Sequence, residues 1–221
     1  MRISFPGVLV LTAVVVCTAP AARGQDRKGW IPLLNGKDLT GWHLRNVQGP
    51  NGWKVIDHVA VNTPPSTDLQ TDAEYYDFQL RVEFKVTAGD GNSGVYLRDK
   101  YEVQIFNSFG KPIADNGCGA LYKKIAPSVN ASKPVGEWQS YDVTFIGRRL
   151  TVMHNGQKVL DNVDVGPMGT GAASSRTDGP GPLRLQGDHE AVSFRNIRIR
   201  PLSKTEAEKL QKEIDSRGAK N

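Results

Sequence analysis

The stretch Tyr76-Asp77-Phe78-Gln79-Leu80-Arg81-Val82-Glu83-Phe84-Lys85-Val86 decides the fold class of this 221-residue chain. Every even position in it is apolar or aromatic, and every odd position is polar. Successive side chains of a β-strand point to opposite faces, whereas a helix would repeat every three or four residues. The alternation therefore predicts a long strand with one face in a core and the other in solvent.

Other segments predict further short antiparallel strands. Asn155-Gly156, the preferred pair for a type I′ hairpin turn, separates residues 150–154 from residues 157–160. The apolar positions change phase at Arg195-Asn196, which predicts a β-bulge. Short strands between Gly, Pro and Asn turns, with little helical periodicity, predict an all-β sandwich of two antiparallel sheets.

One short helix is predicted at the C-terminus, within residues 203–221. Ser203 and Glu206 form a capping box, and Gly218 follows the last turn. Apolar residues recur on one face of this helix, at Ala207, Leu210 and Ile214.

The N-terminus predicts export through a signal peptide, residues 1–22. Arg2 gives a positive start, residues 8–16 an apolar core, and Ala19-Pro20-Ala21 a small-residue cleavage site. The apolar run is shorter than the ~20 residues that span a bilayer, so no membrane-spanning segment is predicted. We expect a periplasmic or extracellular protein, with a lipoprotein anchored at Cys17 as the alternative.

Composition narrows the class of protein further. After cleavage only Cys118 remains, so no internal disulfide is expected, which favours a bacterial envelope over a secreted eukaryotic domain. The net charge of +5 is not clustered, so we expect no nucleic-acid binding. Residues 29–202 are long enough for one well-buried β domain. The sequence does not indicate the oligomeric state.

A candidate site lies in the segment 92–105. Val95 and Leu97 alternate with polar residues, and the apolar positions 101, 103 and 105 do the same after a turn at Asp99-Lys100. If the apolar residues face the core, four polar side chains share the opposite face of two adjacent strands: Tyr96, Arg98, Glu102 and Gln104. This face could hydrogen-bond a polyol, or it could be an ordinary solvated surface.

A second segment adds further candidates. Arg184 and Gln186 alternate with Leu183 and Leu185, and His189 follows at the strand end, as an acid/base or as a structural group. Trp138 could be a core anchor or a platform on which a sugar stacks.

Several segments together resemble the bacterial 3-keto-disaccharide hydrolase domain, and they occur in the family's order. They are residues 34–42, Asn92-Ser93-Gly94-Val95-Tyr96-Leu97-Arg98, residues 101–105, Gly119-Ala120-Leu121-Tyr122, Gly136-Glu137-Trp138, His154-Asn155-Gly156, and Leu185-Gln186-Gly187-Asp188-His189 with Phe194-Arg195-Asn196-Ile197. The resemblance covers residues 29–202. It implies a concanavalin-like jelly roll with a substrate groove on its concave sheet, and a carbohydrate as the partner.

The resemblance also implies a reaction, the cleavage of a 3-keto-glycoside, whose requirements can be compared with the residues present. Retaining glycosidases need two carboxyl groups ~5–5.5 Å apart, but the strand at 102–106 carries one carboxylate, with Gln104 in place of a second. A 3-keto-glycoside needs no such pair, because its ketone acidifies the C2 proton. Glu102 and His189 are then the catalytic base and acid in either order.

The remaining candidates would bind the substrate: Asn92, Tyr96, Arg98, Gln104, Trp138 and Gln186. The sequence establishes no cofactor. A divalent cation could replace Arg98 as the group that stabilises the enolate formed when the C2 proton is removed. A non-catalytic carbohydrate-binding module is the alternative function.

Overall fold

In the computed structural model, which describes residues 29–171 and 179–218, the chain folds into a sandwich of two antiparallel sheets with a C-terminal helix. The strands of the described ranges are β1 (Ile31–Pro32), β2 (Trp42–Leu44), β3 (Trp53–Ile56), β4 (Val59–Asn62), β5 (Leu69–Tyr75), β6 (Phe78–Val86), β7 (Ser93–Leu97), β8 (Tyr101–Ile105), β9 (Gln139–Ile146), β10 (Arg149–His154), β11 (Gln157–Asp164), β12 (Gly181–Leu185) and β13 (Val192–Pro201). The helix α1 spans Lys204–Gly218. The two-sheet prediction is confirmed.

The strands divide into a larger and a smaller sheet. The larger has the order β11-β10-β9-β6-β13-β4-β3, with β1 also paired to β13. The smaller has the order β2-β5-β12-β7-β8, so β12 is its central strand. The alternating stretch forms β6, whose apolar side chains are all buried in the core: Phe78, Leu80, Val82, Phe84 and Val86.

Local predictions from turn chemistry are confirmed. Asn155 (φ 50°) and Gly156 (φ 80°) both have the positive φ that a type I′ turn requires, and they join β10 to β11. The pairing of β13 with β6 shifts register between Arg195 and Arg198, which is the bulge expected from the phase change.

The helix begins at the predicted capping box. The Ser203 N–H donates to Glu206 Oε2 (3.0 Å), and the Glu206 N–H donates to Ser203 Oγ (3.3 Å). Its residue Ala207 packs against Ile146 and Leu202 at one end of the sandwich.

The predicted signal peptide, residues 1–22, lies outside the described residues. Within the part that is described, no helix has the length and apolar character needed to cross a bilayer.

The outer edge of β8 is covered by another part of the chain. Residues 119–122, which we call the edge segment, pair with it: the Gln104 N–H donates to the Ala120 carbonyl (3.0 Å), and the Tyr122 N–H donates to the Glu102 carbonyl (3.0 Å). The Glu102 N–H donates to Thr170 Oγ1 (2.8 Å). Because an unpaired strand edge would expose these groups, the edge segment and Thr170 fix β8 and its side chains in place.

Candidate active site

A row of five polar side chains crosses the whole smaller sheet. Each residue is the Cα partner of the next, and all lie on the face turned away from the core: His43 on β2, Gln70 on β5, Arg184 on β12, Tyr96 on β7 and Glu102 on β8. We call these five residues the polar row. Direct partners in antiparallel strands have neighbouring side chains, so the row is a chain of adjacent functional groups.

Glu102 ends the polar row in a buried position, with 2% of its surface exposed. The Tyr96 hydroxyl donates to its Oε2 atom at 2.7 Å. In the amide orientation that satisfies its neighbours, Gln104 Nε2 donates to the other oxygen, Oε1, at 3.1 Å. Gly94 leaves room for this carboxylate, because a Cβ there would lie only 2.9 Å from Glu102 Cγ. The side chain is therefore held by its neighbours in one position.

Burial also changes the acidity of Glu102. It raises the pKa of the carboxyl group from 4.5 to about 7, although the Tyr96 hydrogen bond and the positive charges of Arg184 and His189 act to lower it. A group with a pKa near the working pH exchanges protons most effectively. Glu102 can therefore act as a general base or a general acid near neutral pH.

Arg184 places a buried guanidinium beside this carboxylate. Its Nη1 atom binds Asp68 Oδ2 at 2.5 Å, its Nε atom is paired with Asp99, and its guanidinium carbon stacks 3.4 Å from the centre of the Tyr96 ring. Burial acts to lower the pKa of Arg184, but the carboxylates of Asp99 and Asp68 outweigh it and raise this pKa above its usual value. Arg184 therefore stays charged.

Besides Arg184 Nε, which is ion-paired with Asp99, two buried polar atoms on β12 and just beyond it have no hydrogen-bond partner among the described residues. They are Arg184 Nη2, a donor, and Gln186 Oε1, an acceptor, and Gln186 is only 9% exposed. A buried polar group without a partner is costly in free energy. A donor and an acceptor two residues apart on one face can be satisfied by a polar ligand such as a sugar.

His189 lies just beyond β12 and is close enough to Glu102 for its charge to lower the pKa of that group. Its Nδ1 atom is 2.5 Å from Asp188 Oδ1, and its side chain is 44% exposed. The aspartate orients the imidazole, and the ring is open to solvent.

At the opposite end of the polar row, His43 is also paired with a carboxylate. Its Nδ1 atom lies 2.6 Å from Asp72 Oδ1, and its Nε2 atom lies 2.8 Å from Gln70 Nε2. These contacts assign Nδ1 as the protonated nitrogen, which donates to Asp72 while Nε2 accepts from the amide.

The structure places Arg98 elsewhere than the sequence predicted. Strand β7 ends at Leu97, and Arg98 (φ 57°) and Asp99 (φ 52°) have a left-handed backbone, so the turn begins one residue early. The Arg98 guanidinium carbon lies 3.9 Å from the centre of the Phe145 ring, which belongs to the core. The expectation that Arg98 shares a face with Tyr96 was wrong, and Arg184 supplies the guanidinium of this face.

Trp138 is also away from the polar row. It precedes β9 of the larger sheet and stacks with Lys85 and Arg195, whose charged groups lie 5.0 and 4.0 Å from its ring centre. Lys85 belongs to β6, and it alternates with the buried residues there. Trp138 therefore lies on the outer face of the larger sheet, where it cannot shape a pocket around Glu102.

Asn92 lies beside the site. In the Gln104 amide orientation given above, the Gln104 side-chain oxygen faces Asn92, 3.2 Å from its Oδ1 atom. The structure therefore brings together Asn92, Tyr96, Glu102, Gln104, Gln186 and His189 from the sequence-based candidates.

Comparison with known families agrees with this geometry. A family model described as "3-keto-alpha-glucoside-1,2-lyase-like domain" matches residues 29–200. The chain belongs to this family. A comparison with curated proteins finds no match.

Solved structures similar to this member of the 3-keto-alpha-glucoside-1,2-lyase-like family come from Parabacteroides distasonis. One, described as a "putative glycosyl hydrolase", is 32% identical, covers 79% of this chain and 84% of that chain, and has a TM-score of 0.70. A second with the same description is 26% identical, covers 79% and 94%, and has a TM-score of 0.68. Together they confirm the jelly-roll sandwich and a carbohydrate-active, glycosyl-hydrolase-like domain.

A more distantly related solved structure, that of an enzyme, has a similar fold. The Crh5 transglycosylase in complex with NAG is 12% identical, covers 79% of this chain and 85% of that chain, and has a TM-score of 0.52. At this identity the likeness concerns the fold alone.

For this family member, the sequence left open whether a divalent cation takes part. Within residues 29–171 and 179–218, no group of three or more His, Cys, Asp and Glu side chains is placed to hold a metal ion. Arg184 places a positive charge on this face.

Sequence reasoning assigned no catalytic or binding role to several residues of this site, among them His43, Asp68, Gln70, Gly94 and Arg184. Arg184 had a signal, because it alternates with Leu183 and Leu185. Asp68 and His43 had no such signal. Asp68 precedes strand β5, and His43 lies on β2, whose three residues are too few for an alternation to be recognised.

Proposed function

We propose that this protein cleaves 3-keto-glycosides by elimination between C1 and C2, with Glu102 as the base that removes the C2 proton. The observation that carries the proposal is the buried Glu102 carboxyl, whose pKa of about 7 is set by burial and whose oxygens are held by Tyr96 and Gln104. The family description, a 1,2-lyase acting on a 3-keto-glucoside, supports the same bond cleavage.

The first step uses one base and one stabiliser of negative charge. Glu102 takes the C2 proton, and the electron pair of the C2–H bond forms an enolate with the C3 carbonyl. Arg184 Nη2, a buried donor without a partner among the described residues, would bind the enolate oxygen. Preorganised donors at a developing charge typically contribute ~10²–10³-fold in rate.

The second step breaks the glycosidic bond. The enolate returns its electron pair to form the C1=C2 double bond, the C3 carbonyl is restored, and the C1–O bond breaks. The departing oxygen takes a proton from His189, which Asp188 orients. Water can then add across C1=C2, which gives net hydrolysis.

The burial of Glu102 favours this reaction over a binding module. A module needs a groove with exposed stacking aromatics and has no need of an ionisable group with a perturbed pKa. Perturbed acidity is common at catalytic sites, because proton transfer requires it.

The test is incubation of the purified protein with 3-keto-glucosides that carry deuterium at C2. We expect release of the leaving group, with slower reaction of the deuterated substrate or exchange of its label with water. Glu102→Gln should abolish most turnover, by ~10²–10⁴-fold, whereas Glu137→Gln, at an exposed loop position, should not.

Three outcomes contradict the proposal. An intact C2 label throughout turnover would exclude elimination. Equal turnover of unoxidised glycosides would show an ordinary glycosidase. Glycan binding without turnover of any keto-sugar would favour the binding module.

A further inference from the structure

Asp68 is a buried carboxylate just before β5, and its two oxygens bind two different parts of the site. Its residue is only 4% exposed. Oδ2 accepts from Arg184 Nη1 (2.5 Å), and Oδ1 accepts from the Gly187 N–H (3.0 Å). Arg184 is the group that would bind the enolate oxygen, and Gly187 begins the turn that carries His189. One carboxylate therefore connects the charge-stabilising group with the turn of the proposed acid.

The turn at residues 187–190 is fixed through its backbone. The side chain of His189 is 44% exposed, so its position depends mainly on the backbone that carries it. Asn62, which is 1% exposed, donates from Nδ2 to the carbonyls of Gly187 (2.9 Å) and Glu190 (3.4 Å). Asn62 therefore holds the carbonyl groups of the turn, and the N–H at its start is held by the carboxylate described above.

Gly187 occupies a place that has no room for a side chain. A Cβ there would lie 2.7 Å from the Thr67 carbonyl oxygen and 2.8 Å from Trp53 Cζ2. Trp53 Nε1 donates to the same carbonyl (2.8 Å), so the indole is itself fixed. The backbone of Gly187 is thus packed against the residue before Asp68, which brings its N–H within reach of the Asp68 carboxylate.

Asp68 also acts on the acidity of Glu102. Burial is the main cause of the raised pKa of Glu102, and the negative charge of Asp68 acts in the same direction. The Tyr122 ring of the edge segment lies nearby, since a Cβ at Gly171 would be 3.8 Å from Glu102 Oε2 and 3.6 Å from that ring. The charged and titratable groups around Glu102 are Tyr96 on β7, Arg184 on β12, His189 beyond β12, Asp68 before β5 and Tyr122 of the edge segment.

We propose that Asp68 is a positioning residue of the active site, whose carboxylate holds the Arg184 guanidinium and the turn of His189 at a fixed separation. The inference rests on the proposed function for the roles of those two groups. Asparagine could not replace Asp68, because its amide has an NH₂ group in place of one oxygen. That group would face either Arg184 Nη1 or the Gly187 N–H, donor against donor, so only one of the two contacts would remain.

The experiment is the kinetics of Asp68→Asn with a 3-keto-glucoside. We expect kcat to fall by about 10²-fold, the loss expected when reacting groups are misplaced by ~1 Å. KM should change less, because the enolate that Arg184 would bind forms only during the reaction. The rising limb of kcat/KM should move to lower pH, because a negative charge that helps to raise the pKa of Glu102 is lost. A merely structural role would lower activity equally at every pH.

The matched control is Asp142→Asn, the same substitution at an exposed carboxylate that accepts from Arg81 Nη1 (3.2 Å) on the outer face of the larger sheet. It should change neither kcat nor the pH profile. Wild-type kcat in Asp68→Asn, or a rising limb that stays in place or moves to higher pH, would overturn the inference.

Two measurements without substrate separate this inference from the proposed function. If the wild-type protein cleaves no 3-keto-glycoside, the proposed function fails, but ¹³C NMR can still follow ionisation of the Glu102 carboxyl, with Glu102→Gln to assign its signal. A lower pKa of Glu102 in Asp68→Asn supports the inference, and an unchanged or higher one overturns it.

The second measurement serves if Asp68→Asn does not fold. It is hydrogen exchange of the Gly187 amide in the wild-type protein, which reports whether this N–H is held in a hydrogen bond. Slow exchange supports the contact with Asp68. Exchange as fast as in an unfolded chain would show that the carboxylate does not hold the turn.

Discussion

The Tyr96 hydroxyl donates a 2.7 Å hydrogen bond to Glu102 Oε2, and the two residues are direct Cα partners on β7 and β8. The bond stabilises the carboxylate, whereas burial disfavours it. The effect of burial is the larger of the two, so the pKa of Glu102 is about 7. Burial of the phenol, followed by the charge of Glu102 and this hydrogen bond, raises the pKa of Tyr96, so this hydroxyl remains a donor.

Tyr96→Phe should move the pH dependence of activity to higher pH. The variant loses the hydrogen bond that lowers the pKa of Glu102, so this pKa rises above about 7 and a higher pH is needed to form the base. The measurement is kcat/KM from pH 5 to pH 9. An unchanged rising limb would show that Glu102 ionisation does not control the rate.

Glu102→Gln should stabilise the protein at alkaline pH while it removes activity. The folded state raises the pKa of this group from 4.5 to about 7, so ionisation is less favourable in the folded than in the unfolded chain above pH 4.5. A shift of this size corresponds to up to about 3 kcal/mol above pH 7. Urea unfolding of both proteins should show a difference at pH 8 that is lost at pH 4; a difference independent of pH would contradict this.

Arg184→Lys should lower kcat much more than Arg98→Lys. Lysine cannot reproduce the planar group that contacts Asp68, Asp99 and the Tyr96 ring. Arg98 packs on Phe145, so its replacement should lower the free energy of unfolding with a smaller effect on turnover. Steady-state kinetics and thermal unfolding of both variants distinguish the two roles. A larger loss of kcat in Arg98→Lys than in Arg184→Lys would show that Arg98 is the group that stabilises the enolate.

His154 should make the fold sensitive to acid. It is buried between Phe84 and Tyr141, and burial, together with the nearby Lys133 charge, lowers its pKa from 6.5 to about 4. As pH falls from 6.5 towards 4, the unfolded chain takes up a proton that the folded chain excludes, so about 3 kcal/mol of stability is lost.

His154→Gln, which keeps a donor for Gln139, should reduce that loss of unfolding free energy between pH 7 and pH 5. His58→Asn, at an exposed position with φ 66°, serves as the control and should keep the wild-type slope. Identical slopes in all three proteins would show that His154 is not the acid-sensitive group.

Export remains a proposal from residues 1–22. Protein isolated from its native host should begin between Ala22 and Gln25, as read by N-terminal sequencing. A chain that begins at a lipidated Cys17 would show the lipoprotein alternative instead.

Most of the fold could be predicted because it depends on local patterns. The alternation in β6, the Asn155-Gly156 turn and the capping box at Ser203 each specify a local geometry through a few neighbouring residues. The order of strands in the smaller sheet could not be predicted from these patterns. It depends on long-range pairing, such as that of Arg184 with Gln70 and with Tyr96.

The site was predictable only as far as the alternation continued. Tyr96, Glu102 and Gln104 share a face as expected, because β7 and β8 are regular there. Arg98 departs from the alternation because its backbone is left-handed, and no glycine in the sequence marks that conformation. Trp138 belongs to a loop, where sequence alternation says nothing about direction.

The polar row ends on one side at Glu102 against Gly171, where a Cβ would lie 3.8 Å from Glu102 Oε2, and on the other at His43, whose side chain is 44% exposed. If the keto ring lies at Glu102 as proposed, the two products should leave in a fixed order, with the leaving group first and the unsaturated keto product second. In such an ordered release, the keto product competes with substrate for the empty enzyme, and the leaving group inhibits without competing. Product-inhibition patterns would therefore report which half of the substrate lies at Gly171.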